Sequence, residues 1–225
     1  MTLDSIENLS AKVASELARV SKKNTANIRK VRREFTRQLA NAPGSVVIDL
    51  SIRILTEETA PHFFAYELVQ HHREAATSLN SRKLKQIGKG IDSWGSVDAF
   101  ACYLSGPAWR EQKIPDSLIE AWAHSKSRWW RRAAVVSTVP LNSRARGGYG
   151  DVVRTLKICS LVAGDRDDMV VKALSWALRE LAKRDSESVE LFLTKNQTRL
   201  AARVLREVRN KIRTGLKNPK HLARA

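Results

Sequence analysis

Residues 167–184, DDMVVKALSWALRELAKR, read as one strongly amphipathic helix. The β-branched pair Val170-Val171 sits inside that helical pattern and opens no strand, and Val135-Val136 behaves the same way. The period continues through the chain. Residues 4–20 place Ile6, Leu9, Val13, Leu17 and Val20 at steps of three or four, and residues 25–40 do so with Ile28, Val31, Phe35 and Leu39. Pro43-Gly44 then breaks the chain, residues 45–57 form a third apolar stretch, and Pro61 opens a fourth, where its missing N–H costs nothing. Further helices are expected near 80–89, 94–106, 115–125, 127–140, 150–163, 186–195 and 197–215. The predicted fold class is all-α. Helix pairs recurring every roughly 35–45 residues point to an α-solenoid of degenerate HEAT-like repeats, with an irregular helical bundle as the alternative.

Length and composition narrow the function. The 225 residues suit a single domain over 1–225, with the N-terminal helix at 1–20 and the basic tail at 216–225 at its periphery. Apolar residues at 43% and charged residues at 28% are ordinary for a globular chain. The charge balance is not: 40 Lys and Arg against 23 Asp and Glu leave a net charge of +17. Such a charge repels itself in the compact state unless a polyanion screens it, so nucleic acid is the first candidate and an anionic membrane surface the second. Self-repulsion also favours a monomer. No run of roughly 18 apolar residues predicts a transmembrane helix. The N-terminus MTLDSIENLS lacks the basic and apolar regions of a signal peptide. Cys102 and Cys159 suit buried thiols in a reducing cytoplasm, the expected location, with nucleoid association in a bacterium. Neither the cysteines nor the histidines fall at metal-ligand spacing, so no metal or cofactor is expected.

The positive charge is clustered. Residues 22–37 carry Lys22, Lys23, Arg29, Lys30, Arg32, Arg33 and Arg37 against Glu34. Arg128, Arg131 and Arg132 interleave with Trp129 and Trp130, and Arg144 and Arg146 enter the glycine-rich stretch 142–150. From Arg199 onward there are nine basic residues and one acid, Glu207; Arg199, Arg203, Arg206, Arg209 and Arg213 fall on one helical face. A salt-bridge-laced surface helix alternates sign, whereas a face of one sign is a footprint for phosphates. The 144–150 loop either lies against a phosphate backbone or merely connects two repeats.

Three segments bear on chemistry. Trp94 and Asp98 are four apart, which puts an aromatic and a carboxylate on one helical face. Taken singly, Asp98 also fits an acid facing a helix dipole, and Trp94 and Trp176 fit core packing. Aromatics alternating with arginine at 128–132 either grip nucleic acid by stacking and phosphate pairing or pack a repeat interface.

Together these segments resemble the AlkD-type DNA alkylation repair enzymes, a family of HEAT-like-repeat DNA glycosylases. Trp94-Gly-Ser-Val-Asp98 matches the family's Trp-x-x-x-Asp element, Arg132-Ala133-Ala134 its Arg-Ala-Ala element, and Trp176-Ala177-Leu178-Arg179-Glu180 its Trp-x-Leu-Arg-Glu helix. Phe64-Ala-Tyr66-Glu67-Leu68 fits an early repeat less specifically, and the likeness spans most of residues 25–215.

The resemblance implies a concave basic surface that binds duplex DNA containing alkylated purines. It implies hydrolysis of the N-glycosidic bond of purines alkylated at N3 or N7, without a metal or cofactor and without flipping the base into a pocket. Such a lesion is cationic and leaves readily. Positive charge then builds on the deoxyribose, where Asp98 would stabilise it and position water. Trp94 and Trp176 would flank the sugar. Arg132 would hold the backbone, with Trp129, Arg131, Arg179, Arg144 and Arg146 as further DNA contacts. Ser93 departs from the family, where another aromatic can stand, and the resemblance assigns no role to the Arg-Gly loop at 144–150 or to the basic tail. Two other readings remain at this level: a non-catalytic module for damaged, bent or branched DNA, and a protein scaffold. A lyase is disfavoured, because that chemistry wants an amine with a lowered pKa in a pocket, and Lys172, four residues before Trp176, reads as a surface residue.

Overall fold

The computed structural model describes residues 3–219, and every regular element among them is helical. In chain order these are α1 (Leu3–Ala18), α2 (Thr25–Gln38), α3 (Gly44–Glu57), α4 (His62–Gln70), α5 (Arg73–Thr77), α6 (Ser81–Ile87) and α7 (Trp94–Phe100). A π turn (Ala101–Ser105) leads directly into α8 (Gly106–Arg110). Then follow α9 (Asp116–Ala123), α10 (Arg128–Val136), α11 (Val139–Asn142), a single 3-10 turn (Arg144–Arg146), α12 (Val152–Leu161), α13 (Asp168–Leu181), α14 (Ser186–Lys195) and α15 (Ala202–Thr214). Residues 1–2 of the expected N-terminal helix, and residues 220–225 of the basic tail with His221, lie outside the described residues.

Local chemistry sets the starts. Asn24, Asn80, Asp151, Asp167 and Asp185 each accept a hydrogen bond from a free N–H of the helix they precede, at 2.8–3.0 Å. Each such cap is worth about 1 kcal/mol. α3 ends on Glu58 in the left-handed region, and α15 ends on Gly215, where φ is +73°.

The helices stack in two rows. In the front row α2 packs on α4, α4 on α7, α7 on α10, α10 on α13 and α13 on α15. Behind it α1 packs on α3, α3 on α6, α9 on α12 and α12 on α14. This is an all-α solenoid, as the periodicity predicts. One contiguous set of buried apolar side chains runs from Ile6 to Val208. Its aromatic centre anchors α7 and α10. Phe100 meets Tyr66, Trp122 and Trp130 with ring centroids at 5.8, 5.8 and 6.0 Å, and Trp122 meets Trp130 at 4.7 Å. Pairs of this kind add about 0.5–1.5 kcal/mol each beyond their buried area.

Three elements differ from the sequence expectation. The helix expected over 94–106 runs on to Arg110 through the π turn. Pro107 explains it: proline has no N–H to donate and its ring clashes with the carbonyl four residues back. The chain widens by one residue, and the Gly106 N–H bonds the Ala101 carbonyl instead. A Cβ on Gly106 would lie 2.7–2.8 Å from Pro140, Ala101 and Ser137, so the close approach of this turn to α10 and α11 requires glycine. The helix expected over 127–140 divides between α10 and α11. The last helix starts at Ala202, not 197, so Arg199 precedes it.

Candidate active site

The front row brings the motif residues onto neighbouring helices. Trp94 and Asp98 stand on α7, Arg132 on α10, and Trp176 and Arg179 on α13. Ser93 opens α7 with a reciprocal cap: its hydroxyl accepts from the Ser96 N–H at 3.3 Å, and the Ser96 hydroxyl accepts from the Ser93 N–H at 3.2 Å. The serine that departs from the family pattern therefore fixes the first turn on which Trp94 sits. Trp94 is 64% exposed, so it is no core residue.

Asp98 is held by Arg132. The arginine donates Nε to Oδ1 at 2.9 Å and Nη2 to Oδ2 at 2.8 Å, and its Nη1 donates to the Met169 carbonyl on α13. One guanidinium thus ties three consecutive front-row helices together. Arg132 is only 5% exposed. The Asp98 side chain retains 20% exposure, so it is not sealed from solvent. Each oxygen has two lone pairs and Arg132 occupies one on each. Burial raises the Asp98 carboxyl above the ordinary carboxylate range, against the hydrogen bonds and charge of Arg132 and the charge of Arg146.

On α13 the exposed or partly exposed positions Lys172, Trp176 and Arg179 form one stripe at steps of four and three, continued by Lys183 in the turn that follows, while the intervening residues are largely core. Lys172 pairs with Asp168 at 2.6 Å and is a surface lysine. Arg179 is half-buried, its Nε donates to Ser175 Oγ at 3.3 Å, and burial lowers its pKa against the pull of Glu207 and Glu180.

The Trp-Arg segment divides by face. Both tryptophans are half-buried against the core, but their ring partners differ: Trp130 packs on Phe100 and Trp122, whereas Trp129 has the Arg128 guanidinium 4.8 Å from its ring centre. Arg131 is turned into the protein. Its Nε donates to Asp165 at 2.6 Å, and its Nη1 to the carbonyls of Ser125 and Lys126 at 3.1 and 2.9 Å. Arg131 and Arg132 are therefore bound to protein acceptors, and each has few N–H groups left for a phosphate.

The Arg-Gly loop is an ordered element. Arg110 donates to the Arg146 carbonyl, and Arg184 donates to the carbonyls of Asn142, at 2.7 Å, and Gly148. Arg144 is exposed. Arg146 lies 5.7 Å from the centre of the Tyr103 ring, and its charge reaches Asp98. Sequence reasoning missed Tyr103. It stands in the π turn that follows α7, and its hydroxyl accepts from Arg29 Nη2 at 3.3 Å. The readable signal was Pro107. Arg29 also pairs with Glu67 at 2.6 Å, and Glu67 is 3% exposed and takes Arg32 at 3.1 Å as well. In the early-repeat motif, Phe64, Tyr66 and Leu68 are core.

Among the described residues no cluster of three or more His, Cys, Asp or Glu is arranged to hold a metal, and no helix is long and apolar enough to cross a membrane. Both cysteines are buried and free; burial pushes the Cys102 thiol up to about 12.

No curated protein and no solved structure matches this chain. A family model described as DNA alkylation repair enzyme matches residues 20–212, which takes in the front-row helices α2 to α13, both tryptophans, the Asp98–Arg132 pair and most of α15. The chain belongs to the DNA alkylation repair enzyme family.

Proposed function

We propose that the protein is a monofunctional DNA glycosylase that hydrolyses the N-glycosidic bond of cationic N3- and N7-alkylated purines in duplex DNA. The observation that carries this reading is Asp98: a carboxylate fixed by a buried arginine, on a side chain that keeps 20% exposure, four residues from an exposed tryptophan.

The chemistry follows from charge. When the C1′–N bond breaks, its electron pair neutralises the alkylated purine and the positive charge passes to the deoxyribose. A carboxylate pre-set beside that sugar stabilises the developing charge without reorganising at the moment of reaction. The lone pairs that Arg132 leaves free orient a water toward C1′ and take its proton as the new C–O bond forms. Partial burial strengthens the interaction relative to water. Trp94 and Trp176 present aromatic faces to the cationic sugar. Arg132 acts here as a positioning residue, and Arg131 fixes the turn before α10. Arg144, Arg146, Arg179 and Trp129 meet the flanking backbone. The chain acts as a monomer and one domain, with a core that is continuous from Ile6 to Val208, on chromosomal DNA in the cytoplasm.

The test is base release. Duplex DNA carrying N7-methylguanine and N3-methyladenine is incubated with wild type and with Asp98→Asn, and the freed base is quantified. Release by wild type alone is the expected result. No release by either protein while the duplex is bound would overturn the enzyme reading and leave a DNA-binding solenoid.

A further inference from the structure

The arginines of the last helix, and Arg199 just before it, do not act together. Arg199 donates to the Ser160 carbonyl at 3.3 Å, and Arg203 pairs with Asp168 at 2.5 Å. Glu207, on the side of α15 that faces α13, is buried and accepts from Ser175 Oγ at 2.6 Å. That flank of the helix is satisfied. Arg206, Arg209 and Arg213 are different. All three are exposed, and none makes an ion pair or side-chain hydrogen bond with another described residue. They line a groove of about 380 Å³ between α14 and α15, with Leu193 and Thr194 on the opposite wall and Glu190 as its one acid.

We propose that this groove is a second binding site for the phosphodiester backbone of duplex DNA, separate from the Asp98 site and indifferent to damage. The charge is uncompensated, and compensation was available to the neighbouring arginines. Guanidinium groups match phosphate geometry with two parallel donors, which makes arginine apt for this ligand. Arg206 to Arg213 covers about 10 Å along the helix. That is close to the axial rise over three phosphate-to-phosphate steps on one strand, at about 3.4 Å each. The groove opens on the α14 flank of α15, whereas Trp176 and Arg179 lie on α13 and Asp98 on α7. DNA held here is flanking or neighbouring duplex and does not enter the site of chemistry. The site retains the protein on undamaged DNA while lesions are sought.

A purely structural role predicts something else. Arg213 in the last turn also complements the helix dipole, which would move stability and not DNA binding. The experiment therefore reads the salt dependence of binding. Full-length wild type, the triple variant Arg206→Gln/Arg209→Gln/Arg213→Gln and Glu190→Gln are titrated against a labelled undamaged 30-base-pair duplex by fluorescence anisotropy over a range of KCl. Three lost phosphate contacts should make the slope of log K against log salt shallower by about 2.7, at roughly 0.9 per contact. Affinity at low salt should fall at least tenfold, and Glu190→Gln should bind more tightly than wild type. The single-turnover rate of base release at saturating DNA should stay within twofold. An unchanged slope overturns the proposal, and so does a triple variant that loses only thermal stability or only adhesion to anionic vesicles. If the triple variant does not fold, Glu190→Gln decides by itself: unchanged affinity sinks the idea. Binding to undamaged duplex is read without any base release, so the outcome is independent of whether the glycosylase reading holds.

Discussion

Arg132 grips Asp98 with two N–H groups, at 2.9 and 2.8 Å, and spends a third on the Met169 carbonyl. The arginine thereby sets the carboxylate plane from behind and fastens α7, α10 and α13 in one register. A lysine cannot do this, because an ammonium is a single point charge and the guanidinium is a planar fork. Arg132→Lys should lower base release about tenfold or more while leaving affinity for undamaged duplex within threefold. Arg132→Ala should cost about 3 kcal/mol of stability, because it strands a partly buried carboxylate and a carbonyl. Single-turnover assays and denaturant titration check the two outcomes. Equal activity in Arg132→Lys and wild type would show that the fork is irrelevant.

Asp98→Asn keeps the shape of the side chain and removes its charge. Stabilisation of the cationic sugar should disappear, with base release down at least a hundredfold. Affinity for duplex should change little, since a carboxylate contributes repulsion toward phosphates. Loss of affinity in proportion to loss of rate would instead assign Asp98 to folding.

The pH dependence follows from the same residue. The ionised carboxylate is the active form, and burial places its pKa above the ordinary range. The base-release rate should therefore fall on acidification at a pH higher than a free aspartate would give. The effect on stability has the opposite sense. A raised native pKa means that the native state binds more protons than the unfolded chain between the ordinary pKa and the raised one. Stability from this residue is present below that window and is lost as pH rises through it. The melting temperature of wild type, compared with that of Asp98→Asn, should decline with rising pH across the window. A parallel pair of curves would mean that the Asp98 pKa is not raised.

How much of this was legible depended on the range of the interaction. The helix at Thr25–Gln38 and the shared face of Trp94 and Asp98 follow from local period, and the chain honours both. The different ring partners of Trp129 and Trp130 were open in the sequence, because Phe100 and Trp122, which take Trp130, stand on other helices. The acidic partners of Arg131 and Arg132, Asp165 and Asp98, are each 34 residues away, so no local pattern announces these ion pairs. The π turn is intermediate: Pro107 marks a disturbance, but the sequence does not say whether the chain will break or widen.

The 143–150 loop offers a prediction through its glycines. A Cβ on Gly148 would lie 2.5 Å from the Pro140 carbonyl oxygen and 2.7 Å from Asn142 N and Leu141 C, all backbone atoms that cannot swing aside. Gly148→Ala should cost about 2 kcal/mol and loosen the loop that carries Arg146. Gly95 is the contrast: it lies in the first turn of α7 with open space around it. Gly95→Ala should stabilise the fold by about 0.5 kcal/mol through helix propensity. If Gly95→Ala gains stability and still loses base release, the backbone beside Trp94 is a surface that DNA approaches closely.

The last prediction separates scaffold from chemistry. Glu67 is buried on α4 and holds Arg29 at 2.6 Å and Arg32 at 3.1 Å, so it anchors α2 to the front row. Arg32 is nearly as buried as Glu67, while Arg29 is more than a third exposed, so most of the penalty falls on Arg32. Glu67→Ala leaves that guanidinium without its counter-charge, a change of about 3 kcal/mol. For a chain of this size that corresponds to a melting temperature lower by about 6–12 °C. Arg29 also supports Tyr103, which in turn lies under Arg146 beside Asp98, so a route from Glu67 to the site exists. Its strength is measurable. Well below the lowered melting temperature, Glu67→Ala should keep base release within threefold of wild type, because Arg110 and Arg184 hold the loop independently. A rate that collapses in folded Glu67→Ala would mean that Arg29 and Tyr103 set the geometry of the site, and that the catalytic surface extends to α2.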